Sequence, residues 1–82
     1  MRTVTLYGRP GCHLCDEARE ALHHLQRRAS FAIEEIDIEQ RDDLHARYLE
    51  RIPVIALDGE ELFDYEVDEE ALVRRILYRE GR

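Results

Sequence analysis

Thr3-Val4-Thr5-Leu6-Tyr7-Gly8-Arg9-Pro10-Gly11-Cys12-His13-Leu14-Cys15 is the stretch whose reading decides the fold. Residues 3–7 alternate and are β-branched, which predicts a strand. Residues 8–11, two glycines around an arginine and a proline, break it. From Leu14 the apolar positions are Leu14, Ala18, Ala21, Leu22, Leu25 and Ala29, one face of an amphipathic helix. That helix is expected from Cys12 or His13 to about Arg28. Asp16 and Glu17 then fall in its first turns and Arg27 and Arg28 in its last, the polarity a helix dipole favours. Both cysteines of the chain therefore sit where a loop enters a helix.

Working outward, residues 31–38 are β-rich with apolar side chains of both parities, which predicts a strand partly covered on both faces. A short helix is expected at about residues 40–50. Pro53 opens Val54-Ile55-Ala56-Leu57, a continuous apolar run typical of a central strand. Asp58-Gly59 is a two-residue hairpin signal, with residues 60–65 returning antiparallel. Asp68 is a natural N-cap, followed by Glu69 and Glu70 in the first turn. Val67 is set to staple onto Leu72, and Leu72, Val73, Ile76 and Leu77 form the buried face. Gly81 fits a helix stop. The order is β-α-β-α-β-β-α, and its first strand–helix–strand unit implies a right-handed parallel crossover.

The 82 residues predict one domain over residues 1–82. A formal net charge of −7 argues against nucleic acid and against docking on anionic lipid. No apolar run approaches the roughly 18 residues of a membrane span. The first residues enter a strand pattern without an apolar h-region, which predicts no cleaved export signal and a cytoplasmic protein, expected as a monomer. Thiols are kept reduced in the cytosol, so a permanent structural disulfide is disfavoured there.

Two chemistries then compete for Cys12 and Cys15. A tetrahedral metal needs further ligands, and only His13, His23, His24 and His45 are available. His23 and His24 lie roughly 12 Å down the helix from Cys15 at about 1.5 Å per residue. A metal or [2Fe–2S] cluster is thus left to a site shared between two chains. Redox chemistry needs no more than the pair. At a helix start, free backbone N–H groups and the dipole stabilise a thiolate and lower an ordinary pKa of about 8.5 into the range of about 3.5–7.5. Cys12 is the attacker on this reading, and Cys15, three residues on, resolves the mixed disulfide. His13, when protonated, would favour that thiolate, and Arg9 would stabilise it or meet a substrate carboxylate; both are also ordinary solvated positions. His23, His24 and His45 read as solvated helix residues. A third reading keeps the fold as an interaction domain whose cysteines do little.

The strand, the C-x-x-C opening a helix and Ile52-Pro53-Val54 before a central strand together resemble the thioredoxin superfamily. The size and Arg9-Pro10-Gly11-Cys12-His13-Leu14-Cys15 are most similar to glutaredoxin-like proteins, across essentially the whole chain. The resemblance implies a four-stranded mixed sheet flanked by helices and a thiol–disulfide oxidoreductase with Cys12 and Cys15 catalytic. It implies a cis peptide before Pro53, against the cysteines, with the Ile52 backbone pairing to a substrate. Partners would be a disulfide-containing protein or small thiol, and a reductant, either glutathione or a reductase, with no permanently bound cofactor. The chain departs from the family where a Gly-Gly pair would let glutathione approach, because Phe63 and Asp64 stand there. Glu60, Glu61, Glu66, Asp68, Glu69 and Glu70 surround them; bulk and negative charge there both disfavour glutathione's two carboxylates, while the acidic cluster reads equally as a plain solvated surface.

Overall fold

The structure is a computed structural model that describes residues 2–77. Strands β1 (Arg2–Gly8), β2 (Phe31–Asp37), β3 (Val54–Leu57) and β4 (Glu60–Asp64) form one sheet in the order β2-β1-β3-β4. Helices α1 (His13–Leu25), α2 (Asp42–Tyr48) and α3 (Glu69–Leu77) cover it. β1 pairs parallel with β2 and antiparallel with β3, and β3 pairs antiparallel with β4. This is the mixed sheet expected from the element order.

Alternation along the strands assigns the faces. Val4 and Leu6 of β1 and Ile55 and Leu57 of β3 pack with Ala18, Leu22 and Leu25 of α1 and Leu72, Val73 and Ile76 of α3. Tyr7 and Val54, of the opposite parity, join Ile38, Tyr48 of α2 and Ile52. Cys15 belongs to this second cluster, so the cysteine pair lies where the two faces meet at one end of the sheet.

The turns follow local chemistry. Asp58 and Gly59 both have positive φ, 50° and 90°, as a type I′ hairpin requires. The Asp58 carboxylate accepts from the Thr3 backbone N–H (2.9 Å) and from Arg2 (2.8 Å), tying the hairpin to the start of β1. Those two donors, the backbone N–H first, hold its carboxyl below the usual range. Asp68 caps α3 by accepting from the Ala71 N–H at 3.1 Å. Val67 packs against the cluster that contains Leu72, as a staple does.

Leu77, expected on the buried face of α3, is 57% exposed, and several boundaries also differ from the sequence expectation. α1 ends at Leu25 rather than Arg28, so His23 and His24, not the two arginines, occupy its last turn. The chain leaves in tight turns, Arg27 N–H to His24 C=O and Arg28 N–H to Leu25 C=O, which bring Ala29 onto the core. The short helix expected at 40–50 spans Asp42–Tyr48, preceded by a single 3₁₀ turn, Ile38–Gln40. Asp37 caps that turn by accepting from the Glu39 N–H. A bulge interrupts β3–β4: Ile55 faces Phe63 and Ala56 faces Glu61, leaving Leu62 extra. Leu62 and Phe63, adjacent in sequence, therefore both pack on the main core. Gly81 lies outside the described residues.

Candidate functional site

The site begins with a glycine. Gly8 ends β1, and a Cβ built there would lie 2.9 Å from Cys15 Sγ. Only glycine lets the sulfur pack against the end of the central strand. Gly8→Ala is therefore expected to cost about 1–3 kcal/mol through overpacking. Urea denaturation checks this, and an unchanged midpoint would contradict the packing of Cys15 on β1. Gly11, at φ +79°, turns the chain into the helix.

Cys12 is the N-cap of α1, with extended backbone (φ −91°, ψ 110°). Its Sγ accepts from the Cys15 N–H at 3.1 Å, the bond that an N-cap side chain makes to the third helical residue. The two Sγ atoms are at disulfide distance, with Cα atoms 5.2 Å apart, inside the usual disulfide span. Cys12 is partly exposed, whereas Cys15 is 1% exposed. The pair is thus asymmetric: Cys12 is partly exposed at a helix start, and Cys15 is buried.

The Ile52–Pro53 peptide is cis. Ile52 belongs to the same buried cluster as Cys15 and Val54, with Tyr7 and Cys12 packed against it. The structure therefore brings Cys12, Cys15, Ile52 and Pro53 to one end of the sheet. Arg9 and His13 are engaged elsewhere. Arg9 lies 3.6 Å from Glu39, and it and Cys15 line a cleft of about 320 Å³. His13 Nε2 is 2.8 Å from Glu17, an i, i+4 pair along the helix surface. Among the described residues, no three His, Cys, Asp or Glu side chains gather in a metal-holding group.

The residue before the cis peptide is anchored by a network that the sequence reading missed. Arg51 donates to Glu61 (2.7 Å) and to Asp64 (3.2 Å), while the Tyr48 hydroxyl donates to Glu61 (2.6 Å). Arg47 and Arg51 flank the Tyr48 ring at 5.5 Å each, and Tyr48 packs on Tyr7 with centroids 4.7 Å apart. Burial, then the bond to Glu61, pushes the Tyr48 hydroxyl up to about 12, so it remains a donor at neutral pH. Tyr48 and then Arg51 hold the Glu61 carboxyl below its ordinary 4.5. A depressed folded value stabilises the protein above the unfolded value and loses that contribution as pH falls through the folded one. Glu61→Gln is thus expected to destabilise near pH 7, with the gap to the parent closing below about pH 4. Denaturation at the two pH values checks this; a pH-independent gap would contradict it.

Asp64 is consequently held by Arg51, and Phe63 is half-buried against the core. The Tyr65 hydroxyl donates to the Glu50 carbonyl, linking the loop after β4 to the end of α2. The signal for the network lay in spacing: Tyr48 and Arg51 are three apart, and Glu61 and Asp64 are three apart on the returning strand. Donors and carboxylates at matching intervals were readable; the bulge that aligns them was not.

A C-x-x-C pair at a helix start, beside a central strand and at the same end of the sheet as a cis-proline, defines a thioredoxin-like fold in its glutaredoxin form. Residues 3–77 match the glutaredoxin-like domain (DUF836), and the chain belongs to that family. It is 35% identical over 74 residues to an uncharacterized protein of Mycobacterium tuberculosis, covering 84% of this chain and 76% of the relative. A solved structure from Nitrosomonas europaea superposes with a TM-score of 0.81 at 34% identity, over 92% of this chain and 91% of that one. One from X. campestris gives 0.68 at 41% identity, over 84% and 88%. At 24% identity, a thioredoxin from Halobacterium salinarum shares the fold alone, with a TM-score of 0.65 over 92% of this chain and 71% of that one. No described helix is long and apolar enough to cross a membrane.

Proposed function

We propose that this protein is a thiol–disulfide oxidoreductase of the cytoplasm, acting as a monomer, with Cys12 as nucleophile and Cys15 as resolving thiol. The observation that carries this reading is the N-cap geometry of Cys12. Its sulfur accepts the Cys15 N–H at the positive end of a 13-residue helix, where a thiolate is stabilised. Thiolate is the attacking form in exchange.

In the reductive direction, Cys12 thiolate attacks one sulfur of a substrate disulfide. The substrate S–S bond breaks, one substrate thiolate leaves and takes up a proton, and a mixed disulfide on Cys12 remains. Cys15 then gives up its proton and attacks Cys12 Sγ, closing the intramolecular disulfide and releasing the second substrate thiol. Two electrons and two protons pass to the substrate. An external thiol, from glutathione or a reductase protein, restores the dithiol. The buried position of Cys15 favours these roles, because a substrate meets Cys12 first. Ile52, beside the cis peptide at the dithiol, offers its backbone to an incoming peptide as an added strand. Arg9 and His13 flank the entrance; for either to meet a substrate carboxylate it must leave Glu39 or Glu17.

Turnover of a small neutral disulfide with dithiothreitol as reductant tests this reading. Catalysed reduction above the uncatalysed rate is expected. Stoichiometric bound metal or a cluster spectrum with no exchange would instead favour a carrier shared between two chains.

A further inference from the structure

A groove of about 270 Å³ opens between α1 and the loop that enters α3. Leu14, the residue immediately before Cys15, forms part of one wall, and Tyr65 and Val67 contribute from the loop. Leu14 and Tyr65 are 44% and 51% exposed, two of the few large apolar side chains among the described residues left to solvent. Both line the same groove. Its remaining wall carries Glu66 and Glu69, with Glu17 beside its partner His13, and no arginine lines it. Two other clefts differ: the one that Cys15 lines contains Arg9 and Arg19, and the one over β4, which shares Glu66, contains Arg51.

Resting on the exchange reading above, we propose that this groove selects the substrate: a polypeptide disulfide flanked by an aliphatic residue and a cationic one. The aliphatic side chain removes the Leu14 and Tyr65 surfaces from water. The Lys or Arg meets the carboxylates, which raise its local concentration and rate of encounter. The same carboxylates repel glutathione, which carries two of its own. The overall charge of −7 adds to this attraction for cationic chains. Tyr65 is tied to the Glu50 carbonyl and sits at φ 69°, so the loop wall is built before substrate arrives.

The test uses the pre-reduced full chain in single turnover, read as formation of the Cys12–Cys15 disulfide. Three synthetic disulfide peptides carry Leu next to the cystine and differ only two residues away, with Arg, Gln or Glu. At low ionic strength the Arg peptide is expected to react about tenfold faster than the Glu peptide, with Gln between. Salt is expected to narrow that ratio, because exposed charges are screened. In the Glu66→Gln, Glu69→Gln double variant the Arg-to-Glu ratio is expected to fall toward one. Changing the Leu of the Arg peptide to Ser is expected to slow it severalfold. Equal rates for the three peptides, while they still react, would overturn the inference and leave the exchange reading standing. No reaction with any disulfide, including a small neutral one, would overturn both.

Discussion

Cys12→Ser is expected to abolish disulfide reduction, lowering turnover by more than about a thousandfold, as loss of a nucleophile does. Serine keeps the N-cap and accepts the Cys15 N–H, so the fold survives while the attacking sulfur is gone. Cys15→Ser is expected to behave differently. Cys12 still attacks, but nothing displaces the substrate, and a mixed disulfide accumulates on Cys12. Intact-mass measurement after mixing with a disulfide distinguishes the two. The asymmetry follows from position, since Cys12 is partly exposed at the cap and Cys15 is buried behind it. Full turnover by Cys12→Ser, or a stable adduct on Cys15, would reverse the roles.

Leu22→Ala is expected to cost about 2–5 kcal/mol. Leu22 is fully buried, between β1 and α3 in the main cluster. A domain of 82 residues has little stability to spare, from a typical total of about 5–15 kcal/mol. The variant should unfold at far lower urea or be largely unfolded without it. Leu14→Ala, on the same helix but 44% exposed, should change stability by no more than about 0.5 kcal/mol. Equal losses at the two positions would mean that the helix face has been misassigned.

The fold was legible because its strongest signals were local and agreed with one another. The periodicity of Ala18, Leu22 and Leu25 marked α1 and its buried face, although Leu14, read on that face, is 44% exposed and Cys15 is buried instead; Asp58-Gly59 marked the hairpin through its positive φ values. Asp68 announced α3 as an N-cap. The end of α1 was misplaced because Arg27 and Arg28 read as a helix terminus. The backbone instead tightens after Leu25, so that Ala29 and Phe31 reach the core. The 3₁₀ turn at Ile38–Gln40 was missed although Asp37 could have signalled it, since an Asp side chain caps a turn two residues on.

Within the site, the cysteines and Ile52-Pro53 were legible from spacing and resemblance, and the structure assembles them at one end of the sheet. The surroundings were not. Arg51, Glu61 and Asp64 meet only because the bulge at Leu62 shifts β4 by one residue, a register fact with no local sequence signature. Asp64 had been read as a charge facing a ligand; it is held by the arginine that precedes the cis peptide. Glu66 and Glu69 lie further along, on the groove shared with Leu14. On the proposal above, substrate choice rests on the loop after β4 rather than on the strand itself.

The most direct test of the central claim is the intact mass of the fully reduced protein before and after one equivalent of a small neutral disulfide. The account predicts loss of two hydrogen atoms per chain, no retained adduct, and Cys12–Cys15 as the bond recovered on peptide mapping. An unchanged mass, with both thiols still open to alkylation, would contradict it.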